Sequence, residues 1–362
     1  MNLRVELCWR LGQGDDMRLE PHLFELLSGI EEQGSLRAAA DEIRLSYRHA
    51  WALVQRWSAA FGQPLVTLER GRGAKLSALG HKLLWAERRL TARLAPELES
   101  LSSQVNRELA SLLQEKALAR LRVVASHDLA LLVLRQLFSQ ATSIKLDLEF
   151  RGSLESLKWL HAKKCDLAGF HVAEGRLGAR LSKRYKPWLD NDSHRLITVA
   201  RRAQGWLTRD RDSPGGEMLP ALSNSKLRFV NRQPGSGTRL AFDQLAKDAG
   251  IDPQTIRGFE TEEFTHLAVA AMVAGAAADV ALGIHAAGAQ FGLRFKSVFC
   301  ERYMLAVRRE ALNTPGIAAL VKLLKSHEFQ QRTAVMAGYD CADAGTIFEV
   351  EAFFAGVGGE GY

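Results

Sequence analysis

The spacing of apolar positions changes character twice along the chain. Over the first 82 residues it predicts short helices separated by turn signals. Met1–Gly12 alternates apolar and polar residues like a strand. Leu23, Phe24, Leu26, Leu27 and Ile30 give a first helix one apolar face, and Gly34 ends it. Ser35 then caps a second helix carrying Leu36, Ala39, Ala40 and Ile43. Ser46 caps a third, whose Ala50, Val54, Trp57 and Phe61 recur at helical spacing. Val66–Ser77 reads as two short strands around a Gly-Arg-Gly tip.

From about 83 to 117 one longer helical stripe follows: Leu83, Leu90, Leu94, Leu98, Leu101, Val105, Leu109 and Leu112. The spacing is near a heptad seam, which fits packing on its own chain or a dimer contact. Pro96 is expected to kink this helix or to begin a second one. Beyond 118 the pattern alternates. Leu121–Ala125, Ile144–Phe150, Arg195–Ala200, Leu227–Asn231 and Tyr303–Arg309 read as strands, with Leu129–Gln140 and Thr238–Ala249 as helices between them. This predicts an α/β fold with mostly parallel sheet in one lobe, or in two lobes around a cleft. The expected boundaries are 1–82, 83–117, 118–345 and a C-terminal tail over 346–362, with Gly356–Tyr362 frayed.

The 362 residues suit two or three domains, and 47% hydrophobic residues suffice for real cores. The net charge of +7 is local. Between Gly34 and Arg93 stand eleven Lys and Arg against four acids, an excess equal to that of the whole chain. A basic region of this kind fits a polyanion. The four cysteines are far apart and form neither a disulfide framework nor a zinc cluster, so no metal is expected. No run nears the roughly 20 apolar residues of a membrane span, and no signal peptide is evident, so a cytoplasmic location without membrane attachment is expected. Nucleophile-elbow, P-loop and HExxH spacings are missing, which gives enzyme chemistry or a catalytic cofactor little support.

On the third predicted helix, the face opposite its core carries Arg48, Ala52, Gln55 and Arg56. Guanidinium and amide groups read base edges and phosphates, and a small residue between them permits close approach. Gly34–Val66, the basic tip and Leu76–Leu84 together resemble the winged helix-turn-helix of ModE-type molybdenum regulators, with LysR-type activators as wider relatives. Ser46-Tyr47-Arg48-His49-Ala50-Trp51 is the most specific phrase. The resemblance covers about the first quarter of the chain and implies a homodimer on double-stranded DNA. Its candidate contacts are Ser35, Arg37, Ser46, Tyr47, Arg48, Gln55 and Arg56, with Arg70, Arg72 and Lys75 on the wing.

The remainder departs from that family, whose molybdate-binding β-barrels have no counterpart here. Val124–Leu131, Phe150–Leu157, Cys165–His171, Asn231–Arg239 and Asp279–Ile284 instead resemble a periplasmic-binding-protein-like domain. That implies two lobes closing on an anion, often an oxyanion such as molybdate or tungstate. The residues point the same way. Ser236, Gly237 and Thr238 lie in a Gly-rich turn between a strand and a helix, where free N–H groups and the helix dipole favour an anion. Arg232 and Arg239 add charge; Ser126, His127, Asp128, Gly152 and Ser153 sit at two further strand-to-helix turns. Helix capping is the plainer role for the serines, and His171, His266 and His285 read as structural. A regulator sensing an organic acid, a carrier protein, and a molybdenum-cofactor biosynthesis enzyme remain the alternatives.

Overall fold

The computed structural model describes residues 3–12, 17–69, 73–112, 119–209, 217–224 and 226–357. Two compact units emerge: Glu6–Leu94, and Met1–Val5 with Ala95–Tyr362. Arg70 and Arg72 fall outside the described residues.

The smaller unit opens with a minimal hairpin, β1 (Arg10–Leu11) with β2 (Met17–Arg18). Three helices follow: α1 (Pro21–Gln33), α2 (Leu36–Glu42) and α3 (Tyr47–Phe61). Gly34 ends α1 in the left-handed conformation at φ 66°, which a glycine adopts without steric cost. The hydroxyls of Ser35 and Ser46 accept from Ala38 N and His49 N, capping α2 and α3 as the sequence predicts. The core joins Leu23, Leu27 and Ile30 to Ala39, Ala40, Ala50, Val54 and Trp57. At Gly29 an added Cβ would lie 2.7 Å from the Ala39 Cβ, so α1 and α2 approach closer than any larger residue allows. The antiparallel pair β3 (Val66–Glu69) and β4 (Gly73–Leu76) follows, and Ala74 N donates to Gly34 O at 2.8 Å.

The N-terminal strand expected over Met1–Gly12 is not formed. Its alternation serves another end: Leu3 N and Val5 N donate to Asn106 Oδ1 and Ser102 Oγ, side chains of the long helix α4 (Ala78–Leu112). Nor does Pro96 divide α4, which runs through it; a proline removes a single donor and a helix this long tolerates that. The predicted stripe is half-buried at Leu83, Leu90, Leu94, Leu98 and Val105, and Leu101 is exposed.

The larger unit begins β5 (Arg120–Ala125), α5 (Leu129–Ala141), β6 (Lys145–Phe150), α6 (Ser153–His161), β7 (Leu167–Ala173) and α7 (Gly175–Leu181). A 15-residue strand, β8 (His194–Thr208), leads to α8 (Met218–Asn224), β9 (Phe229–Arg232), α9 (Gly237–Asp248), β10 (Glu262–Glu263), α10 (His266–Ala274), β11 (Val280–Ile284) and α11 (His285–Gln290). Another strand of 15 residues, β12 (Arg294–Arg308), returns, followed by α12 (Pro315–Leu324), α13 (His327–Ala334), β13 (Tyr339–Asp340), β14 (Ile347–Glu349) and α14 (Val350–Val357).

The strand order β10-β9-β11-β8-β12-β7-β5-β6 explains the two lobes. Parallel pairs β5–β6 and β5–β7 form the heart of one; β9–β11 and β9–β10 form that of the other. The antiparallel partners β8 and β12 belong to both: Arg195–Arg201 and Glu301–Val307 lie in the first lobe, Gln204–Thr208 and Arg294–Ser297 in the second. Register shifts between Ser297 and Phe299, and between Tyr303 and Met304, bend the ribbon where it passes from lobe to lobe. Helices α5, α12 and α13 cover one face of the first sheet while α6 and α14 cover the other. The second is enclosed by α10 and α11 on one side and α8 and α9 on the other.

Residues 346–362 are not simply a tail. β14 pairs with β8, and Val350, Phe353, Phe354 and Val357 of α14 are buried in the first lobe's core; the glycines after Val357 masked this in the sequence. Phe353→Ala should therefore cost the larger unit about 3–5 kcal/mol, read as a lower urea midpoint by circular dichroism. An unchanged midpoint would show α14 to be dispensable.

Candidate anion-binding cleft

Five helices of the larger unit start at the carboxyl ends of parallel strands, and four of those starts concern the same region: α5, α6, α9 and α10. Backbone N–H groups in a first helical turn have no partner within the helix. Each start also brings a hydroxyl or carboxyl: Asp128 Oδ1 caps Ala130 N, Ser236 Oγ caps Arg239 N, and Thr265 Oγ1 caps Ala268 N.

His171, on β7, stands at the junction. Its Nδ1 lies 2.8 Å from Ser126 Oγ, and its main-chain N donates to Ser153 Oγ at 3.4 Å. Ser153 Oγ in turn donates to Ser126 Oγ at 3.3 Å. A Cβ added at Gly237, in the other lobe, would lie 3.5 Å from the His171 Cβ and 3.9 Å from Ser153 Oγ. At Gly152 an added Cβ would stand 3.2 Å from Gly235 O. The Ser126, Gly152–Ser153 and Gly235–Thr238 turns predicted from the sequence are thus brought together across the lobes.

Beneath them lies a buried ionic network that the sequence reading did not find. Arg202, 1% exposed, donates through Nε to Glu301 Oε1 and through Nη1 to Asp128 Oδ2, both at 2.6 Å. Its Nη2 lies 3.2 Å from His266 Nε2. A guanidinium only donates, so His266 Nε2 accepts and the ring proton sits on Nδ1, where it finds no acceptor. Tyr339 Oη donates to Asp128 Oδ2 at 3.0 Å, and Tyr303, stacked on His171, donates to Ser126 O at 2.9 Å. Burial pushes the Asp128 and Glu301 carboxyls up, but Arg202 and the surrounding hydrogen bonds outweigh it and hold both below the usual range.

Gln204 extends the network toward the turn. Its Nε2 donates to both Glu301 Oε1 (2.8 Å) and Thr238 Oγ1 (3.1 Å), while its Oε1 is buried without a partner. Leaving that oxygen dry costs about 1–3 kcal/mol. Glu301 fixes the amide this way round, because a flipped amide would set Oε1 against the carboxylate.

Arg232 is 6% exposed; its Nε donates to Gln233 Oε1 and its Nη2 to Phe264 O. No described carboxylate comes within ion-pair distance. Burial and then repulsion by Arg202 bring its pKa down to about 9, so it stays charged at neutral pH. Charge is thus balanced within Arg202, Asp128 and Glu301 except for one negative unit, which the separate Arg232 cation offsets.

The other candidates sort plainly. Arg239 is turned away, bound to Asp243 and Glu262 over the Phe259 ring. His127 packs on Phe150, and burial brings its pKa down to about 4. His171 and His266, expected to be merely structural, stand in the cleft. Arg202, Gln204 and Glu301 went unread, although polar residues inside the apolar strands Leu196–Leu207 and Phe299–Val307 are the signal that marks them. No group of three or more His, Cys, Asp or Glu placed to hold a metal occurs among the described residues.

In the smaller unit, Tyr47, Arg48, Ala52, Gln55 and Arg56 are exposed on α3, and Lys75 on β4. Ser35 and Ser46 are spent as caps. Arg37 lies over the Tyr47 ring at 5.2 Å. Arg56 is engaged by Glu20, which also accepts from Trp57 Nε1 at 2.7 Å.

Two α/β lobes joined by a pair of crossing strands, with helix starts and hydroxyls facing one another, define a hinged small-ligand-binding domain. The chain belongs to the PBP superfamily domain family, whose model matches residues 134–325. An uncharacterized protein encoded upstream of a ferredoxin gene in Clostridium pasteurianum is 35% identical over 109 residues, 30% of this chain and 96% of that protein. The molybdenum-pterin-binding protein MopB of Rhodobacter capsulatus is 36% identical over 101 residues, 27% of this chain and 37% of its own length. The chain thus spans little more than a third of MopB. A tungstate ABC transporter structure from Geobacter sulfurreducens aligns over 59% of this chain and 96% of its own, at 16% identity and a TM-score of 0.45. No described helix is long and apolar enough to cross a membrane.

Buried neutral histidines make this unit acid-sensitive. His127 has a folded pKa of about 4 against an unfolded value near 6.5, so the unfolded chain binds more protons in that window and stability falls as pH drops through it. The loss from this group approaches 1.4 kcal/mol per pH unit between its two pKa values. His127→Gln should flatten the slope of stability between pH 6.5 and 4 in urea titrations; a slope equal to the parent's would count against this origin.

Proposed function

We propose that the protein is a DNA-binding transcription regulator whose larger unit senses a small oxyanion. The observation that carries the sensing role is Arg232: a buried guanidinium without a carboxylate, beside a cleft lined by helix starts and hydroxyl donors. A buried cation costs free energy unless a counter-charge is supplied, and an anionic ligand is the supply that fits. Tetrahedral oxyanions such as molybdate, tungstate or sulfate have several acceptors, which suit Ser153, Ser236, Thr238 and the free N–H groups of Gly237 and Thr238. Similarity to MopB favours molybdate or tungstate among them. An organic acid fits the same donors and is the second reading.

The regulatory half rests on the smaller unit. Two capped short helices, an exposed Tyr47–Arg48–Gln55 face on α3 and the β3–β4 hairpin correspond to a winged helix-turn-helix of the ModE type. In this reading α3 enters the major groove and the wing residues Arg70, Arg72 and Lys75 lie along the backbone. The half-exposed stripe of α4 becomes the seam of a homodimer acting on paired half-sites. Ligand closes the two lobes by binding the closed state more tightly, and α4, which is covalently continuous between the units, transmits the bias.

Electrophoretic mobility shift with genomic fragments should show dimeric, salt-sensitive binding. Arg48→Ala should cost about 1–3 kcal/mol and relax base preference, as loss of one base contact does. A monomer binding independently of salt would refute the DNA-binding half. For the sensor, calorimetry should detect molybdate, tungstate or sulfate, and Arg232→Met should abolish binding while leaving ligand-free DNA binding intact. If the parent binds none of these anions and no small carboxylate, the sensing reading is wrong.

A further inference from the structure

We infer that Glu301 and Gln204 act as positioning residues that make the cleft select oxyanions carrying no proton. This deepens the anion-sensor reading and rests on it. The argument concerns which partner of each hydrogen bond donates. Arg202 and burial together fix Glu301 as a carboxylate, so it accepts. Gln204 must then turn Nε2 toward it, and the second N–H of that same nitrogen donates to Thr238 Oγ1. The stranded Oε1 shows that the orientation is enforced and not merely one of two equal choices. With an incoming N–H on its oxygen, the Thr238 hydroxyl directs its own proton elsewhere, and no described protein group accepts it. Ser236 is committed in the same manner, because its oxygen accepts from Arg239 N at 3.2 Å.

Two hydroxyls, normally able to act in either sense, are thereby set as donors. The first-turn N–H groups and Arg232 donate only. A ligand oxygen that bears a proton meets donors on this side and leaves its O–H unpaired, which a water-excluding site penalises. Molybdate, tungstate and sulfate are free of protons near neutral pH; inorganic phosphate keeps at least one. The cleft should therefore reject phosphate although size and charge are close to those of sulfate.

The test is calorimetry of the full chain with sodium sulfate, molybdate, tungstate and inorganic phosphate at pH 7.5. The parent should favour at least one of the first three over phosphate by tenfold or more. In Gln204→Glu the new carboxylate accepts from Thr238, freeing the Thr238 oxygen to accept from a ligand O–H, so the ratio should fall by at least tenfold toward phosphate. A cooperatively melting Gln204→Glu variant that keeps the parent's ratio overturns the inference and leaves the anion-sensor reading standing. Should Gln204→Glu fail to fold, Thr238→Val and Thr238→Ser decide: Val should weaken the preferred anion at least tenfold and Ser should restore it. Parental affinity in Thr238→Val overturns the inference. A parent that binds phosphate as tightly as the other three also overturns it, whereas binding of none of the four defeats the oxyanion reading itself.

Discussion

Arg202 is the constraint on which the larger unit depends. It sits on β8 where that strand leaves one lobe for the other, and its guanidinium holds Asp128 of the first lobe, Glu301 of the returning strand and His266 of the second. A buried charge pair gives little net stability over an apolar substitute, but losing one partner leaves the others uncompensated at a cost of about 3–5 kcal/mol. Such a network therefore specifies an arrangement more than it stabilises one. Here the arrangement specified is the approach of the α5 start, which bears Ser126, to the starts of α9 and α10.

The network also explains how a site for an anion can contain two carboxylates. Both are occupied by Arg202 and lie behind the hydroxyls, where they orient donors. Asp128 sets Arg202 and the first turn of α5. Glu301 sets Gln204 and, through it, Thr238. Negative charge placed behind a donor polarises the donor toward whatever stands in front. Arg232 then supplies the one cation not committed to a carboxylate.

What the sequence disclosed follows from the range over which its signals act. Caps, helix faces and strand-to-helix turns are written within about ten residues, and Ser35, Ser46, Ser126, Ser153 and Ser236–Thr238 were found because each announces itself locally. The long strands were read only in part: Arg195–Ala200 and Tyr303–Arg309 show the apolar halves of β8 and β12, whose other halves run on through polar residues. Those polar interruptions are Arg202, Gln204 and Glu301, which make sense only when β8 lies beside β12 and both lie over Asp128, 74 residues from Arg202 in the chain. The same limit explains Arg239, whose partner Glu262 is contributed by a separate strand. α14 was missed for a different reason, since a short helix ending in a glycine-rich stretch carries no outward mark of the core it joins.

This division has a consequence for how such a domain can change its ligand. The donors that face the cleft belong to local turns and are replaceable one at a time. Whether a hydroxyl there donates or accepts is decided by Gln204 and Glu301, which are reached only through the hinge strands. Turning the cleft toward a protonated ligand thus calls for a change in the layer behind Thr238, and that layer also carries Arg202 and the joint between the lobes. Selectivity and hinge geometry are coupled by shared hydrogen bonds, so a substitution that alters one must be compensated in the other.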